Sequence, residues 1–347
     1  MTDKYPHMNE YWRDKTPNLP NTDVPMYVTM SYSTGLHTEG SYRGWKYSSS
    51  KDKWLRIHST QEWHDLYQPE NTDDLQRFLD HYLLGKGNGW ETTPKVRVSL
   101  LRYGDSPDIS HRPEDDYPPS RTQYHTLFLD SANAKLSHKK PGSSSTTSYK
   151  SGPWEEKGVH FTYAFDKYTE ILGPPKIKLF MSTPDQNDMD VFIKLRKVDV
   201  DGNVLTSLNV PMKLQPHGTK LEQIDNLVLY RHEGPMGRLR ASKRALGQDP
   251  MLSEAQVKSQ APTELWLVCD KEEKVPPGTV VELDIPIWPT SMVFNAGESL
   301  RLEVCGHINN LHEFPDSGRL HKNLNNGVHS VHSGAEFPSQ IMLPLLF

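Results

Sequence analysis

The stretch Lys53-Trp54-Leu55-Arg56-Ile57-His58 indicates a buried strand that ends in a histidine. A second strand is predicted upstream, over Val24 to Ser31, and a short helix is predicted near Tyr42 to Ser48. Downstream, an amphipathic helix is predicted over Asp73 to Leu84, because its apolar residues recur at helical spacing and Gly85 can end it. Alternation of strands with helices is typical of an α/β unit with parallel strands.

The composition excludes several classes of protein. The 347 residues, 35% hydrophobic and 24% charged, fit a globular protein of about two domains. No apolar run approaches the roughly 20 residues that span a membrane, and a net charge of -5 gives no basic surface for nucleic acid. The start of the chain, residues 1–6, lacks the basic and apolar regions of a signal peptide, so we expect a cytoplasmic location. Cys269 and Cys305 are expected to lie in strands as free thiols.

From Pro94 onward the pattern changes to short alternating strands separated by turn residues. This pattern is typical of a β-sandwich, and residues 137–152, rich in Ser and Thr, are expected to form a mobile surface loop. We therefore predict an α/β unit over residues 1–93 and a β-sandwich over residues 94–347. The strands predicted in the second part are Lys95–Leu101, Thr126–Leu129, Gly158–Phe165, Lys176–Ser182, Val191–Val198, Val280–Ile287, Ser299–Gly306 and Gln340–Leu345.

Several motifs carry a family resemblance over nearly the whole chain. They are Trp-Leu-Arg-Ile-His at 54–58, Gln-Glu-Trp-His-Asp-Leu-Tyr at 61–67, Asp-His-Tyr-Leu-Leu-Gly at 80–85, Asn-Gly-Trp-Glu at 88–91, Asp-Met-Asp-Val-Phe at 188–192, Gly-Arg-Leu-Arg-Ala-Ser at 237–242, Trp-Pro-Thr-Ser at 288–291, Gly-Glu-Ser-Leu-Arg-Leu at 297–302 and His-Ser-Gly-Ala-Glu at 332–336. The chain resembles the C-terminal part of the CocE/NonD (cocaine esterase-like) and X-prolyl dipeptidyl-peptidase hydrolases, and fungal members most closely. The resemblance implies a remnant of an α/β-hydrolase fold followed by a mainly-β jelly roll.

The departures from this family concern its catalytic triad, whose chain order is nucleophile, acid, histidine. His58 matches the histidine, which leaves almost no room upstream for the other two members, and the chain looks truncated before the nucleophile. No G-x-S-x-G nucleophile elbow occurs in the 347 residues, and Ser33 stands where the acid is expected. A hydroxyl cannot stabilise an imidazolium as a carboxylate does. We therefore expect that this chain is not a stand-alone serine hydrolase.

The candidate site is a pocket between the hydrolase remnant and the jelly roll. Within it His58 and Glu62 are the candidate acid–base pair, because such pairs shift each other's pKa toward neutrality. The alternatives remain open that His58 is a structural relic and that Glu62 and Asp65 belong to a solvated loop. The residues predicted to contact a small molecule are Tyr32, His37, Trp63, His64 and His332.

A group of C-terminal histidines provides a weaker hypothesis of a metal site. The pair His329-x-x-His332 has suitable spacing, and His307, His312 and His321 lie nearby. Because no convergence of ligands follows from spacing alone, we expect no metal and no other cofactor.

Three function classes remain open from the sequence. The first, which we favour, is a repurposed enzyme of secondary metabolism, a cyclase, isomerase or lyase that uses the old cleft without covalent chemistry. The second is a non-catalytic protein that binds a small molecule or acts as an accessory, and the third is the C-terminal half of a split or truncated serine hydrolase. A sheet reduced to two predicted parallel strands leaves an open edge, so we also expect a homodimer.

Overall fold

A computed structural model describes residues 1, 3–152, 158–224, 230–307 and 324–347. The α-helices in this part are α1 (Glu10–Asp14), α2 (Thr38–Tyr47), α3 (Glu62–Leu66), α4 (Pro69–Leu84) and α5 (Glu254–Lys258), with 3₁₀ turns at Leu19–Asn21, Trp90–Thr92, Met212–Leu214, Leu221–Gln223 and Ala241–Lys243. The strands are β1 (Met26–Ser31), β2 (Lys53–His58), β3 (Val96–Leu100), β4 (Ile109–Glu114), β5 (Gln123–Asp130), β6 (Lys135–Ser137), β7 (Ser145–Lys150), β8 (Val159–Ala164), β9 (Thr169–Gly173), β10 (Lys176–Ser182), β11 (Asp190–Val198), β12 (Val204–Leu205), β13 (Ser207–Leu208), β14 (Arg231–His232), β15 (Met236–Arg240), β16 (Val281–Pro286), β17 (Thr290–Phe294), β18 (Ser299–Cys305), β19 (Val328–Ser333) and β20 (Gln340–Leu346).

The first sheet has the order β1-β2-β3-β4. Strands β1, β2 and β3 are parallel, whereas β4 is antiparallel to β3. The register pairs Met26 with Lys53 and Ser31 with His58, so the carboxyl ends of β1 and β2 lie side by side. The α/β character predicted for this part is therefore confirmed. The sheet continues past residue 93 through β3 and β4, and the domain division at that residue stays a prediction.

The helix predicted over Asp73 to Leu84 begins earlier, at Pro69. Proline fits the first turn of a helix, because its fixed φ suits that turn and its missing N–H has no intrahelical partner there. The apolar stripe from which the helix was predicted does not extend into this first turn. The end agrees with the prediction, since Gly85 adopts the left-handed conformation (φ 64°) that closes the helix.

The side chains of β2 alternate between two cores on opposite faces of the first sheet. Leu55 and Ile57 join the large core that continues into the second sheet, whereas Trp54 packs with Phe78 and Trp90 beneath α4. Because strand side chains have a period of two, Arg56 and His58 follow Trp54 onto the α4 face.

The second sheet contains 14 strands, and its pairs are antiparallel apart from a short parallel contact between β6 and β8. Its longest ladder joins β11 with β18, and ladders of six residue pairs join β5 with β20, β10 with β16, β8 with β18, and β7 with β19. The jelly-roll-like character implied by the family resemblance is confirmed. The loop expected over residues 137–152 is wrong in part, because β7 lies within it and pairs with β19 through cross-strand hydroxyls such as Ser148 and Ser330.

Both cysteines are free, as predicted. Cys305 is buried at the end of β18, whereas Cys269 is half-buried outside the strands and has a positive φ of 52°, so the strand expected there is wrong. In the described ranges no helix is long and apolar enough to cross a membrane.

Candidate functional site

The end of β2 carries a buried ion pair beneath α3. The Arg56 guanidinium donates from Nη1 to Asp65 Oδ1 at 2.8 Å and from Nη2 to Asp65 Oδ2 at 2.5 Å. The side chains of Arg56 and Asp65 are only 3% and 9% exposed, so both charges depend on each other for compensation. Asn71 of α4 donates to Asp65 Oδ1 at 3.0 Å and thereby fixes the carboxylate from the other side.

This ion pair is one end of a longer network along the α4 face. Arg56 Nε donates to the Tyr27 hydroxyl at 3.0 Å, and Tyr27 donates to Asp74 of α4. Arg97 of β3 donates to both Tyr27 and Asp74 at 2.8 Å. Burial raises the pKa of Tyr27 to about 12. Against the effect of burial, hydrogen bonds from Arg97 and Tyr27 hold the pKa of Asp74 below its usual range.

His58 lies beside this pair and is itself buried, at 5% exposure. Its Nδ1 is 3.7 Å from Asp65 Oδ1, which is too long for a hydrogen bond, and this nitrogen has no hydrogen-bond partner among the described residues. Burial lowers the pKa of His58 to about 4, although the Asp65 carboxylate acts in the opposite direction. The imidazole is therefore neutral at physiological pH.

Helix α3 places three predicted site residues directly after β2. Trp63 is 50% exposed and meets His64 edge-on, with ring centroids 6.3 Å apart. The His64 carbonyl accepts a hydrogen bond from Gln68 Nε2 at 2.9 Å, which ties α3 to the start of α4. Glu62 is half-buried, and its Oε1 is enclosed without a hydrogen-bond partner within the described chain. Glu62, Trp63 and His64 thus share one short helix that follows His58 in the chain, and Trp63 and His64 contact each other.

The carboxyl end of β1 is neutral. Ser33, at the position expected for the triad acid, is buried, and its Oγ lies 3.1 Å from Ser31 Oγ. Ser31 Oγ donates to the Thr60 carbonyl at 2.7 Å, and Thr34 Oγ1 donates to Gln61 Oε1 at 3.0 Å. Thr60 and Gln61, which follow β2, thus form hydrogen bonds with the end of β1. The carboxylate nearest His58 belongs to α3 and not to β1.

Three of the predicted site residues lie elsewhere. Tyr32 is buried on the opposite face of the first sheet, against Tyr117, because it is one residue beyond Ser31 and the strand period is two. His37 is exposed at the start of α2. His332 lies on β19, where Thr146 Oγ1 and Ser182 Oγ contact its two ring nitrogens at 2.9 and 2.8 Å. These contacts hold His332 among jelly-roll strands, and burial lowers its pKa.

The jelly-roll domain packs directly against the strand ends. The Gln61 N–H donates to the Asn209 carbonyl at 3.1 Å. Gly35 lies so close to Trp288 that a Cβ there would be 1.8 Å from the indole ring. A cleft of about 250 Å³ lies on the jelly-roll sheet, and none of the predicted site residues lines it; its walls are Lys176, Lys178, Leu246, Leu265, Asp284, Gln340 and Met342.

The histidine group near the C-terminus does not form a metal cluster among the residues that the structure describes, where no three His, Cys, Asp or Glu side chains converge. His329 is buried, and its Nδ1 is 3.2 Å from the Tyr149 hydroxyl. His312 and His321 lie outside the described residues.

Sequence reasoning left open that Asp65 belongs to a solvated loop, and it missed Arg56 as the main partner of that carboxylate. A charged residue inside a predicted buried strand was the available signal, because a buried arginine needs a partner. Nothing in the sequence indicated that Asn209 and Trp288 approach the strand ends.

The fold and this arrangement define a class of proteins related to hydrolases. Residues 88–342 match the family of X-Pro dipeptidyl-peptidase C-terminal non-catalytic domains, and the chain belongs to this family. It corresponds to the C-terminal part of CocE/NonD-type hydrolases. Comparison with curated proteins found no match.

Three solved structures illustrate the relationship. A CocE/NonD family hydrolase from Staphylococcus aureus is 26% identical with a TM-score of 0.84, and the alignment covers 99% of this chain and 58% of that one. An aminopeptidase from a marine sediment Thaumarchaeota archaeon (16% identity, TM-score 0.67, 100% and 59% coverage) shares the fold. So does an α-amino acid ester hydrolase (13% identity, TM-score 0.60, 99% and 60% coverage). The chain thus spans about three-fifths of the length of these relatives.

Proposed function

We propose that these 347 residues do not form a serine hydrolase by themselves, and that they bind and transform a small organic molecule beside α3 without a covalent intermediate. The reaction class is proton transfer, as in a cyclase, isomerase or lyase. The observation that carries the proposal is the neutral end of β1. Ser31, Ser33, Thr34 and Gln61 make hydrogen bonds to one another or to Thr60 where a triad would need a carboxylate.

The surroundings of His58 also argue against a working catalytic triad. A triad histidine has to be oriented by a carboxylate that stabilises its protonated form. Asp65, the acid nearest His58, is engaged by two hydrogen bonds from Arg56 and one from Asn71. A neutral imidazole with a pKa of about 4 is a weak base. It can still donate or accept a hydrogen bond while another group removes the proton.

Two enclosed polar atoms without partners support a ligand site beside α3. They are His58 Nδ1 and Glu62 Oε1. Buried polar groups are usually hydrogen-bonded, so a bound molecule or an ordered water can serve as the partner of these two atoms. The half-exposed Trp63 adds an aromatic surface next to them. An apolar wall with a few convergent polar groups is the usual composition of a small-molecule site.

In the proposed reaction Glu62 accepts the proton and His58 donates a hydrogen bond to the developing negative charge. Positioned acid–base groups contribute roughly 10²- to 10⁴-fold to rate. Trp63 and the half-buried His64 would hold the carbon skeleton and restrict access of water.

The hydrolase part of the proposal is tested with a fluorophosphonate probe and a fluorogenic ester. We expect no serine to be labelled and no ester turnover above that of buffer. Stoichiometric labelling of one serine, together with turnover, would refute the proposal.

The site is tested with a panel of cyclic ketones, lactones and enol esters in a thermal-shift screen followed by calorimetry. Binding of a true ligand should weaken at least tenfold in Glu62→Gln and in Trp63→Ala and stay unchanged in Glu282→Gln, a matched change at an exposed jelly-roll position. Hits that bind both site variants normally would place the ligand elsewhere. A ligand that binds but is not converted would favour the accessory role over the enzyme.

A second candidate is the C-terminal part of a longer or split hydrolase. It is favoured by the relatives, of which this chain spans only about 58–60%. In that case the fluorophosphonate probe should label a serine of the adjoining segment in the complete protein. Restoring an acid with Ser33→Asp should then raise ester turnover.

A further inference from the structure

The cleft of about 250 Å³ on the jelly-roll sheet is lined by three neighbouring strands and by a segment outside them. The strands are β16, β10 and β20, which pair in that order. Leu246 and Leu265 come from the segment between β15 and β16. A β-bridge between Leu246 and Leu267 holds this segment together, and the ion pair Arg43–Asp249 attaches it to α2. Both sides of the cleft are therefore held by contacts of their own.

The strand register brings polar residues together on one face of the sheet. Asp284 of β16 pairs with Lys178 of β10, and Lys178 pairs with Gln340 of β20. Lys176 lies two residues from Lys178 on the same face, where it pairs with Met342. Lys176 is thus a diagonal neighbour of both Asp284 and Gln340. Because diagonal neighbours are about 7–8 Å apart, one small molecule can contact all three side chains.

The Asp284 carboxylate lies in the cleft without a hydrogen-bond donor. Its side chain is only 13% exposed, and Lys178 Nζ is 3.7 Å from its Oδ2, which is too long for a hydrogen bond. Lys178 donates to Glu282 instead, and no other residue of the described chain donates to Asp284. Burial raises the pKa of Asp284, although Lys178 acts in the opposite direction. A carboxylate in such surroundings is stabilised by an additional donor.

Lys176 and Gln340 add two further polar groups without partners. Lys176 is half-buried, and it forms neither a hydrogen bond nor an ion pair with the residues that the structure describes. The side-chain amide of the half-buried Gln340 also has no hydrogen bond within those residues. The cleft thus presents a cation, an amide and an anion whose hydrogen-bonding capacity is unused.

Three apolar side chains complete the lining, from Leu246, Leu265 and Met342. Leu246 is 46% exposed, so a ligand could cover apolar surface there. At roughly 30 Å³ per water molecule, the cleft has room for about eight waters. This is about the size of an amino acid with a short aliphatic side chain.

We propose that this cleft binds an aliphatic α-amino acid in its zwitterionic form. The ligand carboxylate accepts hydrogen bonds from the Lys176 ammonium and the Gln340 amide, and the ligand ammonium donates to Asp284. The aliphatic side chain packs against Leu246 and Leu265. A simple carboxylate would leave Asp284 without a donor, and a simple amine would leave Lys176 without an acceptor. No residue of α3 lines the cleft, so the inference does not depend on the reaction proposed above.

Calorimetric titration of the 347-residue chain compares L-leucine with molecules that each lack one of its groups. 4-Methylpentanoate lacks the ammonium, 3-methylbutylamine lacks the carboxylate, and glycine lacks the apolar side chain. We expect L-leucine to bind with a Kd below about 1 mM and each of the others to bind at least about tenfold more weakly. No binding of L-leucine at about ten times that concentration, or equal binding of 4-methylpentanoate, overturns the inference.

Two variants test the charged groups one at a time. Lys176→Met removes the cation and Asp284→Asn removes the anion, and each should weaken binding of L-leucine at least tenfold. Asp284→Asn should not weaken binding of 4-methylpentanoate, which has no ammonium. Lys150→Met changes an exposed lysine of β7 and should bind L-leucine like the wild type. Binding of L-leucine that persists in both cleft variants overturns the inference.

The position of the ligand is measured without relying on the charge variants. In protein with ¹³C-methyl methionine, the Met342 signal is assigned with Met342→Leu, and L-leucine should shift this signal in the wild type. Binding that shifts other methionine signals and leaves that of Met342 unchanged would place the ligand elsewhere and would overturn the inference.

Discussion

The carboxyl ends of β1 and β2 lie side by side, yet they are built from opposite kinds of chemistry. The end of β1 is a closed set of neutral hydroxyl and amide groups. The end of β2 is a buried arginine–carboxylate pair beside a histidine whose Nδ1 has no hydrogen-bond partner among the described residues. The comparison shows that the acid near the histidine has a structural partner of its own, and that the triad position on β1 is filled by groups that cannot ionise at neutral pH. The free energy of unfolding should therefore be more sensitive to substitutions at the end of β2 than to substitutions at the end of β1.

The largest effect is expected from breaking the ion pair. In Asp65→Ala the buried Arg56 guanidinium loses its carboxylate and keeps the hydrogen bond to the Tyr27 hydroxyl. Because a buried charge without a counter-charge is costly, the free energy of unfolding should fall by about 3–5 kcal/mol. Chemical denaturation measures the loss. Glu282→Ala removes a carboxylate from a partly exposed pair and serves as the control, with an expected change below about 1 kcal/mol. Equal losses in the two variants would contradict the assignment.

The next largest effect concerns pH. The unfolded His58 titrates near its ordinary pKa of 6.5, whereas burial lowers the folded pKa to about 4. Between these values the unfolded chain binds a proton that the folded chain does not. The free energy of unfolding should thus fall as pH drops from about 6.5 to 4, by about 3 kcal/mol at most for this residue.

His232 and His329, also buried with pKa values lowered to about 4, add to the same slope. The informative quantity is therefore the difference between wild type and His58→Gln, which should shrink as the pH falls. The exposed His160→Gln is the control. A difference that does not vary between pH 4 and 7 would show that His58 is not held neutral.

A smaller effect is expected where the jelly roll closes over the end of β1. Gly35→Ala introduces a Cβ that would overlap the Trp288 ring, and the required shift should cost about 1–3 kcal/mol. Thermal unfolding measures it. Gly40→Ala, at a position of α2 with open space around it, should be neutral or stabilising. A fully tolerated Gly35→Ala would mean that the contact between the domains is looser than described.

The smallest effect is expected from the neutral network itself. Ser33→Ala removes one hydroxyl that lies 3.1 Å from Ser31 Oγ and should cost about 1 kcal/mol. A loss of unfolding free energy as large as that of Asp65→Ala would contradict the proposed difference between the two strand ends. Fluorescence-detected denaturation of both variants side by side provides the comparison.

The sequence was sufficient for the α/β character of the first part and for the change to short strands after Pro94, because hydrophobic period separates helices from strands. It did not predict the order of the strands in the second sheet. It placed Tyr32 and His58 in one candidate pocket, but it could not show that the two side chains project to opposite faces of the sheet. Strand β7 was missed because Tyr149 is its only apolar residue, and hydroxyl contacts with β19 accompany its pairing. The Arg56–Asp65 pair was missed because only the folded chain shows that a residue of α3 reaches a residue of β2.

The most direct test of the central claim is an NMR titration of the His58 imidazole in selectively labelled protein, assigned with His58→Gln. A neutral, buried histidine outside a working triad should titrate near pH 4 and should keep that pKa in Ser33→Ala. A pKa at or above 6.5 that falls when Ser33 is changed would show that His58 is coupled to the triad position on β1, and it would contradict this account.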